Sequence, residues 1–168
     1  MIKLWPLALC LFFFSGCRDG KESSEDSSSR QAQLVVGELP ERAVINSRAR
    51  EIVSSWPEFL SLEKSLDGFF RVENNEELSL LLDELIDKEK AVAESDYPEL
   101  FATPQIYSRQ KVFKTYLLKT KATIIYRTDP QPPAEEMIRA YNDLCTQFNI
   151  LVNNQLDKEL LDDENDTD

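Results

Sequence analysis

Cys17 is the residue whose surroundings point most directly to covalent chemistry. Two small residues, Ser15 and Gly16, precede it, and before them lies an apolar run from Leu4 to Phe14 that follows Lys3. A positive charge, a short apolar run and small residues are typical of an export signal. The run is too short to span a bilayer, which takes roughly 17 to 25 residues. The alternative is a buried N-terminal helix or an uncleaved anchor.

The sequence Phe14-Ser15-Gly16-Cys17 resembles the lipobox of bacterial lipoprotein precursors. The resemblance implies that a peptidase removes residues 1–16 as a lipoprotein signal peptide and that Cys17 carries acyl chains such as palmitate. It therefore implies a membrane as partner, in the cell envelope. Arg18 follows the cysteine where aspartate would retain such a lipoprotein in the inner membrane, which favours the outer membrane. The resemblance covers the first tenth of the chain, and no family is recognised for the rest.

Catalytic and metal-binding patterns are not found elsewhere in the chain. There is no histidine, which removes the common general base, Ser-His and Cys-His nucleophile pairs and the histidine ligands of di-iron bundles. Adjacent carboxylates diverge by 100° on a helix and more simply mark caps or solvated faces. These pairs are Glu76 and Glu77, Glu135 and Glu136, and Asp162 and Asp163. We therefore predict a protein that is not an enzyme and needs no cofactor or metal.

Two further residues interrupt the helical patterns and need an explanation. Cys145 falls on an apolar face and is predicted to be a small core residue. Arg109 falls near the centre of another apolar face, where an unpaired buried charge would be costly. Either its stem reaches outward to water, or it pairs with Glu63 or Glu159.

The charge balance of the chain excludes one class of partner. The formal net charge is −12, which has the wrong sign for neutralising the phosphates of nucleic acid. We therefore predict no nucleic-acid binding. Anionic lipid headgroups are disfavoured for the same reason.

The elements that must position these residues follow a helical period. Residues 17–33 are rich in serine and mixed charge and are predicted to form a disordered tether after the lipidated cysteine. Residues 34–161 are predicted to form the helical domain, and residues 162–168 an acidic disordered tail. The fold class predicted is all-α, an antiparallel four-helix bundle.

The first predicted helix starts near Glu41 and continues to Phe70. At Pro57 it either kinks or gives way to a second helix with Ser55 as N-cap. Asn74 caps the next helix, with Glu77 three residues later. A third helix covers about Gln105 to Arg127, and a fourth opens at Ala134 after a rigid turn from Asp129 to Pro133.

The third helix differs from the others in charge, with six basic residues and no acid between Phe101 and Thr128. Lys111, Lys114 and Lys121 cluster opposite its apolar face. They either complement acidic neighbours in the bundle or form a docking strip for an acidic partner or polyanion. The sequence leaves both possibilities open.

These patterns lead to two hypotheses about function. The first is a lipid-anchored, noncatalytic binding or scaffolding module in the envelope of a Gram-negative bacterium, with another envelope protein as partner. The second is a small-ligand carrier or sensor that holds an apolar ligand between its helices. The aromatic residues expected to line that cavity are Trp56, Phe59, Tyr116, Tyr141 and Phe148.

Overall fold

The structure, a computed structural model, describes residues 32–165, and the side chains as far as residue 155. Five α-helices occur in this part of the chain, and it contains no strand. They are α1 (Ser47–Val53), α2 (Pro57–Phe69), α3 (Asn75–Glu94), α4 (Pro104–Tyr126) and α5 (Gln131–Asn165). Short 3-10 turns cover Val36–Glu38 and Glu99–Phe101. The prediction of an all-α bundle is confirmed, while the predicted signal peptide, Cys17 and most of the tether lie outside the described residues.

The four longer helices, α2 to α5, run antiparallel to their sequence neighbours. Between each pair of helices, a contact that lies closer to the C-terminus of one helix lies closer to the N-terminus of the next. The contacts are Ser65 with Glu84 and Gly68 with Leu81 between α2 and α3, Glu89 with Lys114 and Asp83 with Lys121 between α3 and α4, and Arg109 with Gln147 and Phe113 with Tyr141 between α4 and α5. The short α1 packs on α2 and α5.

Local capping starts two helices where the sequence predicts. The side chain of Asn74 accepts a hydrogen bond from the backbone N–H of Glu77 at 2.9 Å, and the Glu77 carboxylate accepts one from the N–H of Glu73 at 3.1 Å. Pro104 occupies the first turn of α4, where a missing N–H costs nothing. Thr103 caps that helix.

Pro57 starts a separate helix, α2, and does not kink a continuous one. The predicted N-cap, however, is wrong. Ser55 donates its hydroxyl to the carbonyl of Ile52 at 2.8 Å and belongs to the turn that ends α1. Trp56 is the N-cap residue, with no side-chain cap hydrogen bond, and its indole N–H donates to Ser95 at 2.7 Å.

The start of the last helix also differs from the prediction. The expected rigid turn from Asp129 to Pro133 is shorter, because α5 begins at Gln131 and contains Pro132 and Pro133 in its first turn. Prolines are tolerated there because the first N–H groups of a helix have no intrahelical acceptor. At its other end α5 continues to Asn165, past the predicted domain boundary at 161.

The largest difference concerns residues 41–46, which were predicted to be helical and have no helical turn. Helix α1 begins only at Ser47, with Asn46 as its N-cap. The preceding segment lies along α5 because two asparagines there pair with its backbone. Asn142 accepts from the N–H of Ala43 at 2.8 Å and donates to the carbonyl of Glu41 at 2.8 Å.

Asn149 repeats this arrangement seven residues later on the same face of α5. It accepts from the N–H of Asn46 at 2.8 Å and donates to the carbonyl of Val44 at 3.0 Å. Each amide side chain pairs with one N–H donor and one carbonyl acceptor of the extended segment. It therefore acts on that backbone as the peptide group of an adjacent β-strand would. We call Asn142 and Asn149 the amide ladder. The amide ladder gives hydrogen-bond partners to backbone groups of residues 41–46 that would otherwise pair within a helix. The segment therefore gains fewer hydrogen bonds by becoming helical.

Loss of one asparagine of the amide ladder should lower the stability of the domain. We expect Asn142→Ala to lower the free energy of unfolding by about 1 kcal/mol, because it leaves the N–H of Ala43 and the carbonyl of Glu41 without their partner. Asn153→Ala, at an exposed position of the same helix, controls for the higher helix propensity of alanine. Urea denaturation measures both. Equal stability of the two variants would contradict a structural role for the ladder.

Candidate functional site

The candidate site is a pocket of about 430 Å³ between α3 and α4. Its residues come from the last turns of α3, the connection after it and the first half of α4. They are Glu89, Ala93, Tyr97, Tyr107, Gln110, Lys111 and Lys114. The pocket combines a buried carboxylate with aromatic and basic groups that reach the surface, so it offers both ring contacts and charge to a bound molecule.

A buried carboxylate forms the floor of the pocket. The side chain of Glu89 is 2% exposed, and the ammonium of Lys114 lies 2.8 Å from its Oε2. Its Oε1 accepts a hydrogen bond from the amide of Gln110 at 3.2 Å. An unpaired charge at this depth would cost several kcal/mol, so Lys114 must stay close. The pair holds α3 against α4.

Two tyrosines form the aromatic wall. The rings of Tyr97 and Tyr107 meet edge to face with their centroids 4.9 Å apart. The hydroxyl of Tyr97 donates to the side-chain oxygen of Gln110, and burial raises the pKa of Tyr97 to about 12. Trp56 lies directly behind, with its ring centroid 4.7 Å from that of Tyr97.

The three lysines of the predicted basic face have different surroundings. Lys114 pairs with Glu89, and Lys121 lies 2.7 Å from a carboxylate oxygen of Asp83, so both complement acids on α3. This is the first of the two interpretations of that face. Lys111 is exposed, lines the pocket and makes no ion pair within the described part of the chain.

The side chain of Arg109 extends outward toward water, the first of the two arrangements predicted for it. Its guanidinium Nε donates to Gln147 at 3.0 Å, Asp143 lies 3.9 Å away, and the side chain is 41% exposed. The alternative pairing with Glu63 is wrong, because Glu63 lies on α2 and binds two other arginines. The side chain of Glu159 is outside the described residues.

Glu63 is the centre of a second polar cluster, which is closed. Arg50 donates to both carboxylate oxygens, at 2.5 and 2.9 Å, and Arg42 approaches to 3.4 Å. The hydroxyl of Tyr141 also lies 3.4 Å away. Burial alone would raise the pKa of Glu63, but the hydrogen bonds and charges of Arg50 and Arg42 outweigh it and the pKa is lowered.

Cys145 is a core residue, as its position on the apolar face predicts. Burial raises the pKa of its thiol to about 12, beside Tyr141, whose pKa burial also raises. A thiolate nucleophile needs a depressed pKa and access to substrate, and Cys145 has neither.

The five aromatic residues expected to line a cavity do not surround this pocket. Trp56, Phe59, Tyr141 and Phe148 pack on one another in the core with centroid distances of 5.2 to 6.3 Å. The fifth, Tyr116, is partly buried at the edge of the core. The pocket is instead built around Glu89, which the sequence analysis did not single out. One signal was available, since Glu89 falls on the apolar stripe of α3 between Leu85 and Val92.

The lowered pKa of Glu63 predicts that its contribution to the stability of the domain depends on pH. A depressed folded pKa contributes stability above the unfolded value, near 4.5, and that contribution is lost as the pH falls through the folded pKa. We expect Glu63→Gln to reduce the free energy of unfolding by about 1 to 3 kcal/mol at pH 7, and by progressively less as the pH falls below 4.5. Denaturant titrations from pH 7 to pH 3 measure the difference. A constant difference across that range would contradict the ionised cluster.

Among the described residues, no group of side chains is arranged to hold a metal ion, and no helix has the length and apolar character needed to cross a membrane. Comparison with known proteins adds no relative: no family model, no curated protein and no solved structure matches this chain.

Proposed function

We propose that the protein is a lipoprotein of the bacterial cell envelope, anchored by acyl chains on Cys17, whose helical domain is a noncatalytic binding module. The observation that carries the binding role is the pocket between α3 and α4, where the buried Glu89 pairs with the half-exposed Lys114 beside tyrosines that reach the surface. A pocket with this composition recognises a partner by shape and charge.

The chemistry of the pocket supports binding over catalysis. Glu89 and Lys114 neutralise each other at 2.8 Å, and Tyr97, with its pKa raised to about 12, holds its proton at neutral pH. A general acid or base works best with a pKa near the working pH. Hence these three groups are suited to fixing a bound group in place.

The anchor part of the proposal is supported by the sequence around Cys17. Each buried methylene contributes about 0.8 kcal/mol, so two or more acyl chains hold a protein stably at a membrane. With a formal net charge of −12, the chain gains little attraction from anionic lipid and depends on its acyl chains. Arg18 favours the outer membrane as the destination.

Acylation is tested directly by mass spectrometry. We expect the native protein to begin at Cys17 and to carry the mass of its acyl chains, because Ser15, Gly16 and Cys17 form the cleavage and lipidation site. Cys17→Ser should retain residues 1–16 and lose incorporation of radioactive fatty acid. Cys145→Ser is the matched control and should be labelled like the natural chain. Native protein that still begins at Met1 would refute the anchor.

The binding role is tested by capture from detergent-solubilised envelopes. We expect the natural chain to retain an envelope protein that Tyr107→Ala loses, because Tyr107 is the exposed half of the aromatic wall. Tyr126→Ala removes an exposed tyrosine of the same helix outside the pocket, and this variant should still capture the envelope protein. Capture that does not exceed background, or that is equal in all three chains, would count against this role.

A small-ligand carrier is the second candidate, and the size of the pocket favours it. About 430 Å³ lies within the range of roughly 300 to 1,000 Å³ that small-molecule sites occupy. In this case the ligand would lie against Tyr97 and Tyr107, and not among the core aromatics. Binding of a pure small molecule without any envelope protein would distinguish this candidate.

A further inference from the structure

We propose that the pocket between α3 and α4 binds an anionic group, a carboxylate or its equivalent, carried on a flat apolar body. The inference rests on the proposed binding function and names the chemistry of its ligand. It follows from the balance of charge in the pocket, from the free capacity of its lysines and from the shape of its wall.

The charge of the pocket is opposite to that of the chain. Two lysines and one glutamate line it, in a protein with a formal net charge of −12. The local positive charge attracts anions, although the chain as a whole is acidic. A ligand that carries one negative charge would leave the pocket neutral.

Both lysines keep donors for a ligand. An ammonium has three N–H donors, and Lys114 makes no hydrogen bond with Oε2 of Glu89, although its Nζ lies 2.8 Å from that oxygen. Lys111 is exposed and makes no ion pair within residues 32–155. A carboxylate has two oxygens that can accept from two separate donors, so it can bridge the two ammonium groups.

A cationic ligand fits the same pocket poorly. The carboxylate in the pocket, Glu89, has Lys114 2.8 Å from its Oε2 and the amide of Gln110 on its Oε1, although Oε2 itself accepts no hydrogen bond. An incoming cation would have to displace Lys114 from a buried carboxylate and would then lie beside two ammonium groups. Breaking such a buried pair is strongly unfavourable.

The walls favour a flat apolar body behind the charged group. Tyr97 and Tyr107, whose ring planes make an angle of 77°, line the pocket together with Ala93. Aromatic rings prefer offset-stacked or edge-to-face contacts, and a planar ligand ring can make such contacts with these two tyrosines. The hydrogen bond of Tyr97 to Gln110 keeps that ring in place.

Three probes of similar size and different charge test the proposal: benzoate, benzyl alcohol and benzylamine. Each is titrated into the full-length chain in detergent micelles, and binding is followed by the NMR shifts of the backbone amides of Ala93 and Gln110. We expect benzoate to shift these amides and to bind about tenfold or more tightly than benzyl alcohol, since charge-assisted hydrogen bonds are the stronger kind. Benzylamine should bind weakest.

Lys111→Gln should remove the preference for benzoate over benzyl alcohol, because it takes away the unpaired ammonium. Lys119→Gln is the matched control, with the same loss of charge at an exposed position of α4 outside the pocket, and should leave the preference unchanged. Benzylamine that binds as tightly as benzoate, or an equal effect of both lysine variants, would overturn the inference. So would the absence of shifts with all three probes.

The outcome is separate from that of the proposed function. If Tyr107→Ala abolishes capture of an envelope protein but benzoate leaves the amides unshifted, the binding module stands and the anionic ligand is refuted. If Cys17 carries no acyl chain, the anchor is refuted while the benzoate result still decides the ligand.

Discussion

A carboxylate that is largely withdrawn from water in an apolar bundle must have a cationic partner, and two carboxylates, the part-buried Glu63 and the buried Glu89, organise this domain. Glu63 and Glu89 both lie on helices whose other inward residues are apolar. The desolvation cost of each would exceed most single packing contributions if it were unpaired. The two are paired in different ways, and the difference separates a structural cluster from a binding site.

The Glu63 cluster is closed because its partners come from three directions. Arg42 reaches in from the extended segment, Arg50 from α1 and Tyr141 from α5. Arg42 also pairs with Asp67 one turn further along α2. Together with the amide ladder, these contacts fasten the N-terminal segment to the bundle. In the proposed lipoprotein this segment would follow the tether.

The Glu89 cluster is open because, among the residues that the structure describes, its cationic partner comes from α4 alone. Lys114 and Gln110 approach it from that helix, and Tyr97, Tyr107 and the exposed Lys111 line the pocket beside it. Helix α4 can carry five basic residues without an acid because α3 supplies the opposite charges to Lys114 and Lys121. That pairing leaves Lys111 as a cation of the pocket without a partner among the described residues. The proposed ligand is the group that would supply one.

The sequence by itself determined the helical class, most of the helices and several of their ends. These follow from local information: the apolar period, the cap at Asn74 and proline at the first turn of α4. Because the chain has no histidine, the sequence also excluded the chemistry that histidine side chains supply, and it predicts the export signal before Cys17.

Only the tertiary structure decided which partner each charge has and where the first helix begins. Residues 41–46 have a helical pattern, yet Asn142 meets Ala43 across 99 positions and holds the segment extended. Likewise, Glu89 is an ordinary helix residue until α4 brings Lys114 within 2.8 Å. Local patterns encode which face of a segment is apolar, whereas polar pairings form between residues that folding alone brings together.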